Sequence, residues 1–251
     1  MLASASASAS AVAHGRTACG ASGSGPARVG VARRGYGRGA TGRVPVRGMA
    51  TLVPERDGVE GMTWDVETLR GVSVESAKTG EKVTLGSVMG PKLGRTVVGL
   101  IRHFGCPLCW EQATALRELK NDFEACDTTL VVIGVGNVEK AREFAEALPF
   151  PLENLFVDPE REVYRLIGLH DDFLRIFSVK GPLAIAKRGP EKFLKANANR
   201  KSISPVNPSD VKQQGGLIIL DNNEVIYFHV DEATGDHAPM EEVIDLACVC
   251  L

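Results

Sequence analysis

The hydrophobic pattern along the chain switches repeatedly between two periods. Residues 97–101 form a short apolar run, Val-Val-Gly-Leu-Ile, bounded by polar positions. A run of that length reads as a buried strand. From Trp110 the spacing turns helical, with Gln112, Leu116, Leu119 and Phe123 at three- and four-residue steps. Residues 129–135 are β-branched and mostly apolar, as expected of a parallel strand covered on both faces. Asn137 stands as an N-cap before a helix whose buried stripe is Val138, Ala141, Phe144, Ala145 and Leu148. Leu155, Phe156 and Val157 make a short strand, and Asp158-Pro159 then opens a helix that buries Val163, Leu166 and Ile167 and stops at Gly168. Strand and helix alternating three times predicts parallel strands joined by right-handed crossovers.

The flanks read differently. Residues 72–85 hold two strand-like runs around Lys78-Thr79-Gly80, a hairpin signal. Residues 217–220 and 225–230 flank an Asn-rich turn and predict a second, antiparallel hairpin. A last helix begins near Pro239, with Met240, Val243, Ile244, Ala247 and Cys248 on one face. That stripe makes Cys248 a core residue and leaves Cys250 exposed, while Cys126 reads as a small buried filler. Between the two halves, residues 173–214 break the rhythm with nine Lys or Arg, two acidic residues and four prolines. Two readings compete for this insertion: a lid that borders the chemistry and attracts an anionic substrate or partner, or a solvated basic loop.

Composition divides the chain at its start. The first 53 residues contain seven Arg, no Lys and no acidic residue, and open on an Ala-Ser repeat. This is the composition of an organelle transit peptide, with the chloroplast as the expected destination and the mitochondrion as the alternative. Residues 54–251 then form one globular domain. Its charge is reversed, with 22 basic residues (29 − 7) against 31 acidic ones, which argues against broad nucleic-acid binding. No apolar run reaches the 18 residues expected of a membrane span.

The candidate chemistry lies where the central strand meets its helix, at Cys106-Pro107-Leu108-Cys109. Pro107 fits a first helical turn, because the amide it lacks would have no intrahelical partner. A thiol at a helix N-terminus meets unpaired N–H groups and the positive end of the helix dipole, both of which favour thiolate. Cys106, at the exposed end, is expected to attack, and Cys109, one turn inside, to resolve the product as a disulfide. Arg102 and His103 stand close enough in sequence to add positive charge. His237, in the turn before the last helix, is a further candidate. Two other readings stay open: a zinc site that joins Cys106 and Cys109 to Cys248 and Cys250, and a binding module whose cysteines are inert.

The segments Arg-His-Phe-Gly-Cys-Pro-Leu-Cys-Trp-Glu (102–111), Val-Asp-Pro-Glu-Arg (157–161), Gln-Gln-Gly-Gly (213–216) and Asp-Glu-Ala-Thr-Gly-Asp-His (231–237) together resemble the peroxiredoxin-like family of AhpC/TSA-type proteins, particularly its chloroplast members. The resemblance implies an α/β thioredoxin-like fold: a central mixed sheet flanked by helices, here with an extra N-terminal hairpin and the long basic insertion. It implies an antioxidant thiol oxidoreductase that reduces peroxides or related oxidised substrates through Cys106 and Cys109. Electrons would come from thioredoxin or a similar thiol donor, with no bound cofactor. The family's peroxidatic motif has Thr three residues before its Cys. Here His103 holds that place before Cys106, and Cys106 itself holds it before Cys109, so by spacing Cys109 competes for the peroxidatic role. Gly215-Gly216 stands where thioredoxins carry a cis-proline, which predicts open thiols.

Overall fold

The computed structural model describes residues 64–90, 94–172, 182–183, 186–187, 189–198, 200 and 202–248. The expected transit segment, Cys19, Cys250 and much of the basic insertion lie outside these residues. The chain enters on helix α1 (Val66–Gly71), which Asp65 caps by accepting from the Thr68 amide at 2.8 Å. The expected hairpin follows as β1 (Ser73–Ser76) and β2 (Lys82–Thr84), then the short helix α2 (Leu85–Val88). The central strand β3 (Arg95–His103) leads into α3 (Pro107–Glu118), which breaks at Leu119 and restarts as α4 (Lys120–Ala125). Next come β4 (Thr128–Val135), α5 (Val138–Ala147), β5 (Leu155–Val157) and α6 (Glu162–Leu166). Helix α7 (Pro190–Asn197) lies in the insertion, and β6 (Gly216–Asp221), β7 (Glu224–Val230) and α8 (Met240–Ala247) close the chain.

These strands make one seven-stranded sheet in the order β2-β1-β5-β4-β3-β6-β7. The β3–β4 and β4–β5 pairs are parallel, as the alternating pattern predicts, and the two flanking hairpins add antiparallel edges. Alternation along each strand sorts the core into two layers. Val97 and Ile101 of β3 face α3, α5 and α8 with Trp110, Phe144 and Val243. Val98 and Leu100 face α1, α2 and α6 with Leu69, Leu85 and Tyr164. This is the mixed α/β thioredoxin-like fold, with the extra N-terminal hairpin and the insertion in the expected places.

Two local expectations are corrected. The helix after Asp158-Pro159 starts at Glu162, three residues later than the expected first position at Pro159. The Asp158 carboxylate still accepts from the Glu162 and Val163 amides, at 2.9 and 2.8 Å, so the cap reaches across a turn. Cys126 is not buried filler: it is exposed and forms a disulfide with the half-buried Cys248, 122 residues away in sequence. The helical stripe concealed this, because a pairing between chain segments leaves no periodic signature. The same helix end is held twice more. Arg95, ion-paired to Asp221 at 2.5 Å, donates to the Leu246 carbonyl at 3.0 Å, and the Thr128 hydroxyl donates to the Ala247 carbonyl at 2.8 Å. A cation at a helix C-terminus also complements the dipole.

Closing so long a loop restricts the unfolded chain, and removing a native link of this kind costs about 2–5 kcal/mol. Cys248→Ser is expected to lower the unfolding free energy by about that amount. Chemical denaturation of the unmodified protein in excess reductant should reproduce the same loss.

Candidate active site

Strand β3 does not run straight into the dithiol. Its parallel register with β4 pairs Ile101 with Gly134 and then His103 with Val135, so Arg102 is the extra residue of a bulge. A bulge frees one residue from the ladder and re-aims it. The released Arg102 amide donates to the Cys109 sulfur at 3.2 Å. Its side chain turns to the other thiol, with Nη1 3.6 Å from the Cys106 sulfur. Tyr164 braces the bulge from below, donating its hydroxyl to the Ile101 carbonyl at 2.6 Å and sharing it with the Ile133 carbonyl at 3.0 Å. The guanidinium is fixed in turn by backbone oxygens: Nε donates to Gln213 O at 2.7 Å and Nη2 to Val211 O. The Gln213 carbonyl is what the Gln-Gln-Gly-Gly segment gives the site, and Val211 just before it adds the second.

Cys106 is the N-cap of α3, Pro107 opens its first turn, and Cys109 sits one turn inside. Both are free thiols, with Cys106 3% exposed and Cys109 0%. The two sulfurs are electrostatically unequal. Cys106 is held well below the ordinary thiol range, first by the hydrogen bond from the Cys109 thiol and then by the nearby Arg102 and His103 charges, which together outweigh burial. Cys109 is pushed well above it, chiefly because it is buried and lies beside the Cys106 sulfur. One thiolate and one thiol that donates to it is the arrangement expected when two acidic groups share a site. His103 is itself buried, which lowers its pKa, and its Nδ1 has no hydrogen-bond partner. The residues singled out in the sequence, Cys106, Cys109, Arg102 and His103, are thus gathered at one end of the sheet.

The thiols are not open, contrary to the expectation from Gly215-Gly216. That pair packs against the Leu100 and His229 backbones, and the Cys106 side is covered by the insertion. A Cβ on Gly105 would lie 1.8 Å from the Ile203 carbonyl oxygen, so the segment after α7 rests directly on the residue before Cys106. Side chains from the last residue of α7 and from that segment hold the loop's carbonyls. Arg200 donates to Gly105 O at 3.3 Å and Asn197 to Pro107 O at 3.0 Å. From inside, Trp110 Nε1 donates to Phe104 O at 2.7 Å. Of the two readings of the insertion, its described part takes the bordering one. Sequence reasoning did not find Asn197, Arg200 or Ile203, because they sit in a stretch without period. The small residue at Gly105, directly before the dithiol, was the one available sign of close contact.

His237 lies on the other flank of the motif, buried between the Asp231 carboxylate and the Leu108 carbonyl. It also borders a cavity of about 710 Å³ that runs along α3 to α7 and the start of α8. Neither sulfur lines that cavity, so it is distinct from the dithiol site. Among the described residues no three His, Cys, Asp or Glu side chains converge as metal ligands. The alternative zinc set of Cys106, Cys109, Cys248 and Cys250 loses one member, since Cys248 is bonded to Cys126.

The chain is similar to known proteins over most of this architecture. Residues 115–233 match the family model described as AhpC/TSA antioxidant enzyme. The human protein named peroxiredoxin-like 2C is 29% identical over 216 residues, which cover 81% of this chain and 89% of that one. The prostamide/prostaglandin F synthase of Xenopus tropicalis is 30% identical over 183 residues, covering 72% and 86%. The Arabidopsis thaliana thioredoxin-like protein AAED1, chloroplastic, is 28% identical over 159 residues, covering 61% and 62%. With the fold, these relatives place the chain in the peroxiredoxin-like AhpC/TSA family, as a thioredoxin-fold redox protein.

Proposed function

We propose that the protein is an organellar thiol oxidoreductase in which Cys106 attacks an oxidised substrate and Cys109 closes the resulting intermediate. With a hydroperoxide, the Cys106 thiolate displaces alkoxide or hydroxide from the O–O bond and becomes a sulfenic acid; the leaving oxygen takes a proton. The Cys109 sulfur then attacks the sulfenic sulfur and expels water, leaving a Cys106–Cys109 disulfide. A dithiol donor of the thioredoxin type reopens it by exchange, restoring two thiols and leaving as a disulfide. With a disulfide substrate, the first step gives a mixed disulfide and a thiolate instead. The single observation that carries this reading is the inequality of the two sulfurs: Arg102 Nη1 stands 3.6 Å from Cys106, which carries the charge, while Cys109 stays protonated until its turn. Arg102 also offers a donor to the departing oxygen. The competing assignment, Cys109 as the first nucleophile, asks the more buried and less acidic thiol to react first.

The organellar part of the proposal rests on the acid-free, Arg-bearing first 53 residues and on the chloroplastic relative in Arabidopsis thaliana. The chloroplast is the location it favours. Burial of Cys106 adds one requirement, that the segment around Ile203 move aside before any substrate reaches the sulfur.

In an assay that follows NADPH consumption through thioredoxin and its reductase, offered hydrogen peroxide, an alkyl hydroperoxide and a protein disulfide in turn, Cys106→Ser is expected to lower turnover roughly a thousandfold or more. Cys109→Ser should accumulate a trapped sulfenic acid or mixed disulfide on Cys106. A normal first step in Cys106→Ser, with none in Cys109→Ser, would reverse the roles. Gly105→Ala tests the cover: overpacking against Ile203 should cost about 1–3 kcal/mol and displace the segment. Labelling of Cys106 by iodoacetamide should then accelerate while far-UV dichroism is retained. An unchanged labelling rate would show that the segment does not gate the sulfur.

A further inference from the structure

The turn from Asp231 to His237 contributes no thiol, yet it is built tightly against the motif. The His237 ring, 4% exposed, has Nδ1 3.0 Å from Asp231 Oδ2 and Nε2 3.0 Å from the Leu108 carbonyl oxygen. A carbonyl only accepts, so Nε2 carries a proton and donates it. Asp231, 0% exposed, fixes the ring from behind, as a carboxylate orients an imidazole in many sites. The side chain of Leu108 is captured by the same turn. Gly235 takes φ +89°, and a Cβ there would lie 2.9 Å from Leu108 Cδ1. Both the carbonyl and the side chain of a residue inside Cys-Pro-Leu-Cys are therefore set by residues more than 120 positions away.

The peptide group that His237 grips is the one whose other end is the Cys109 N–H. Cys106 is the N-cap of α3 and Cys109 its third residue, so this N–H is one of the helix-start amides with no intrahelical partner, on the side of the Cys106 cap, although no capping hydrogen bond closes between them. Hydrogen bonds in series polarise one another, so a donor on a peptide carbonyl strengthens the N–H of the same peptide. We infer that His237, oriented by Asp231, is a positioning residue that polarises the Leu108–Cys109 peptide and thereby stabilises the Cys106 nucleophile. The inference rests on the reading of Cys106 as the attacking sulfur. It acts through one peptide bond, so His237 need not touch substrate.

Other charged groups face this pair and stay in place in the test. His229 Nε2 lies 3.6 Å from the other Asp231 oxygen, Glu111 of α3, Lys192 and Lys195 of α7, and Asp236 border the cavity beside His237, and Arg102 and His103 face Cys106. The experiment is a thiolate titration by absorbance at 240 nm on the full reduced chain, with the Cys106→Ser titration subtracted, combined with the equilibrium potential of the Cys106–Cys109 couple at pH 7. His237→Ala is expected to move the Cys106 transition to higher pH, so that the thiolate fraction in its rising range falls several-fold. The couple should become more reducing. His237→Gln, whose amide can reach the same carbonyl, should recover part of both shifts, and Asp231→Asn should fall between the alanine variant and the parent. Folded His237→Ala protein with an unshifted transition and potential overturns the inference while leaving Cys106 the nucleophile. A parent protein whose Cys106 shows no acidic thiolate overturns both readings. If His237→Ala does not fold, Asp231→Asn and His237→Gln decide on the same two measurements.

Discussion

The site depends on two sulfurs that share one buried space with a single guanidinium. A buried thiolate is costly unless charge and hydrogen bonds answer it. Arg102 supplies the charge, the Cys109 thiol supplies the hydrogen bond that matters most, and burial keeps Cys109 itself neutral. The asymmetry needed for sequential chemistry follows from position alone. Cys106 caps the helix and meets the cation, while Cys109 sits a turn deeper and receives the Arg102 amide. The bulge in β3 makes this possible, because one residue out of register lets Arg102 serve both sulfurs, one with its backbone and one with its side chain.

Around that centre the fold spends its irregular parts on holding backbone in place. The carbonyls of Phe104, Gly105, Pro107 and Leu108 each accept from a side chain, respectively Trp110, Arg200, Asn197 and His237. Two of those donors come from the insertion and one from the turn before α8. The insertion is therefore part of the site's wall, and its many cations are not all solvated surface. A loop held at so many points gives a defined geometry for disulfide closure, at the cost of access to the sulfur. The Cys126–Cys248 link stands apart from this chemistry and secures the last helix.

Much of the scaffold was legible in the sequence because its signals are local or periodic. The β3, β4 and β5 runs, the Asn137 cap, the Gly168 stop and both hairpins stand where pattern and turn chemistry put them. Cys106, Cys109, Arg102 and His103 were also legible, since the motif and its approach strand lie within eight residues. What the sequence could not show depends on distant segments meeting. Asn197, Arg200 and Ile203 carry no period, and the Cys126–Cys248 pairing mimics a core stripe at one end and a helix-end filler at the other. The expected openness of the thiols failed for the same reason: Gly215 and Gly216 were weighed without the insertion that covers the opposite side.

The central claim is that Cys106 holds the charge and Cys109 does not. Brief alkylation of the fully reduced chain near pH 6, with each cysteine's label read by peptide mass spectrometry, tests it most directly. The label should appear on Cys106 well ahead of Cys109. Equal labelling of the two, or Cys109 first, would contradict it.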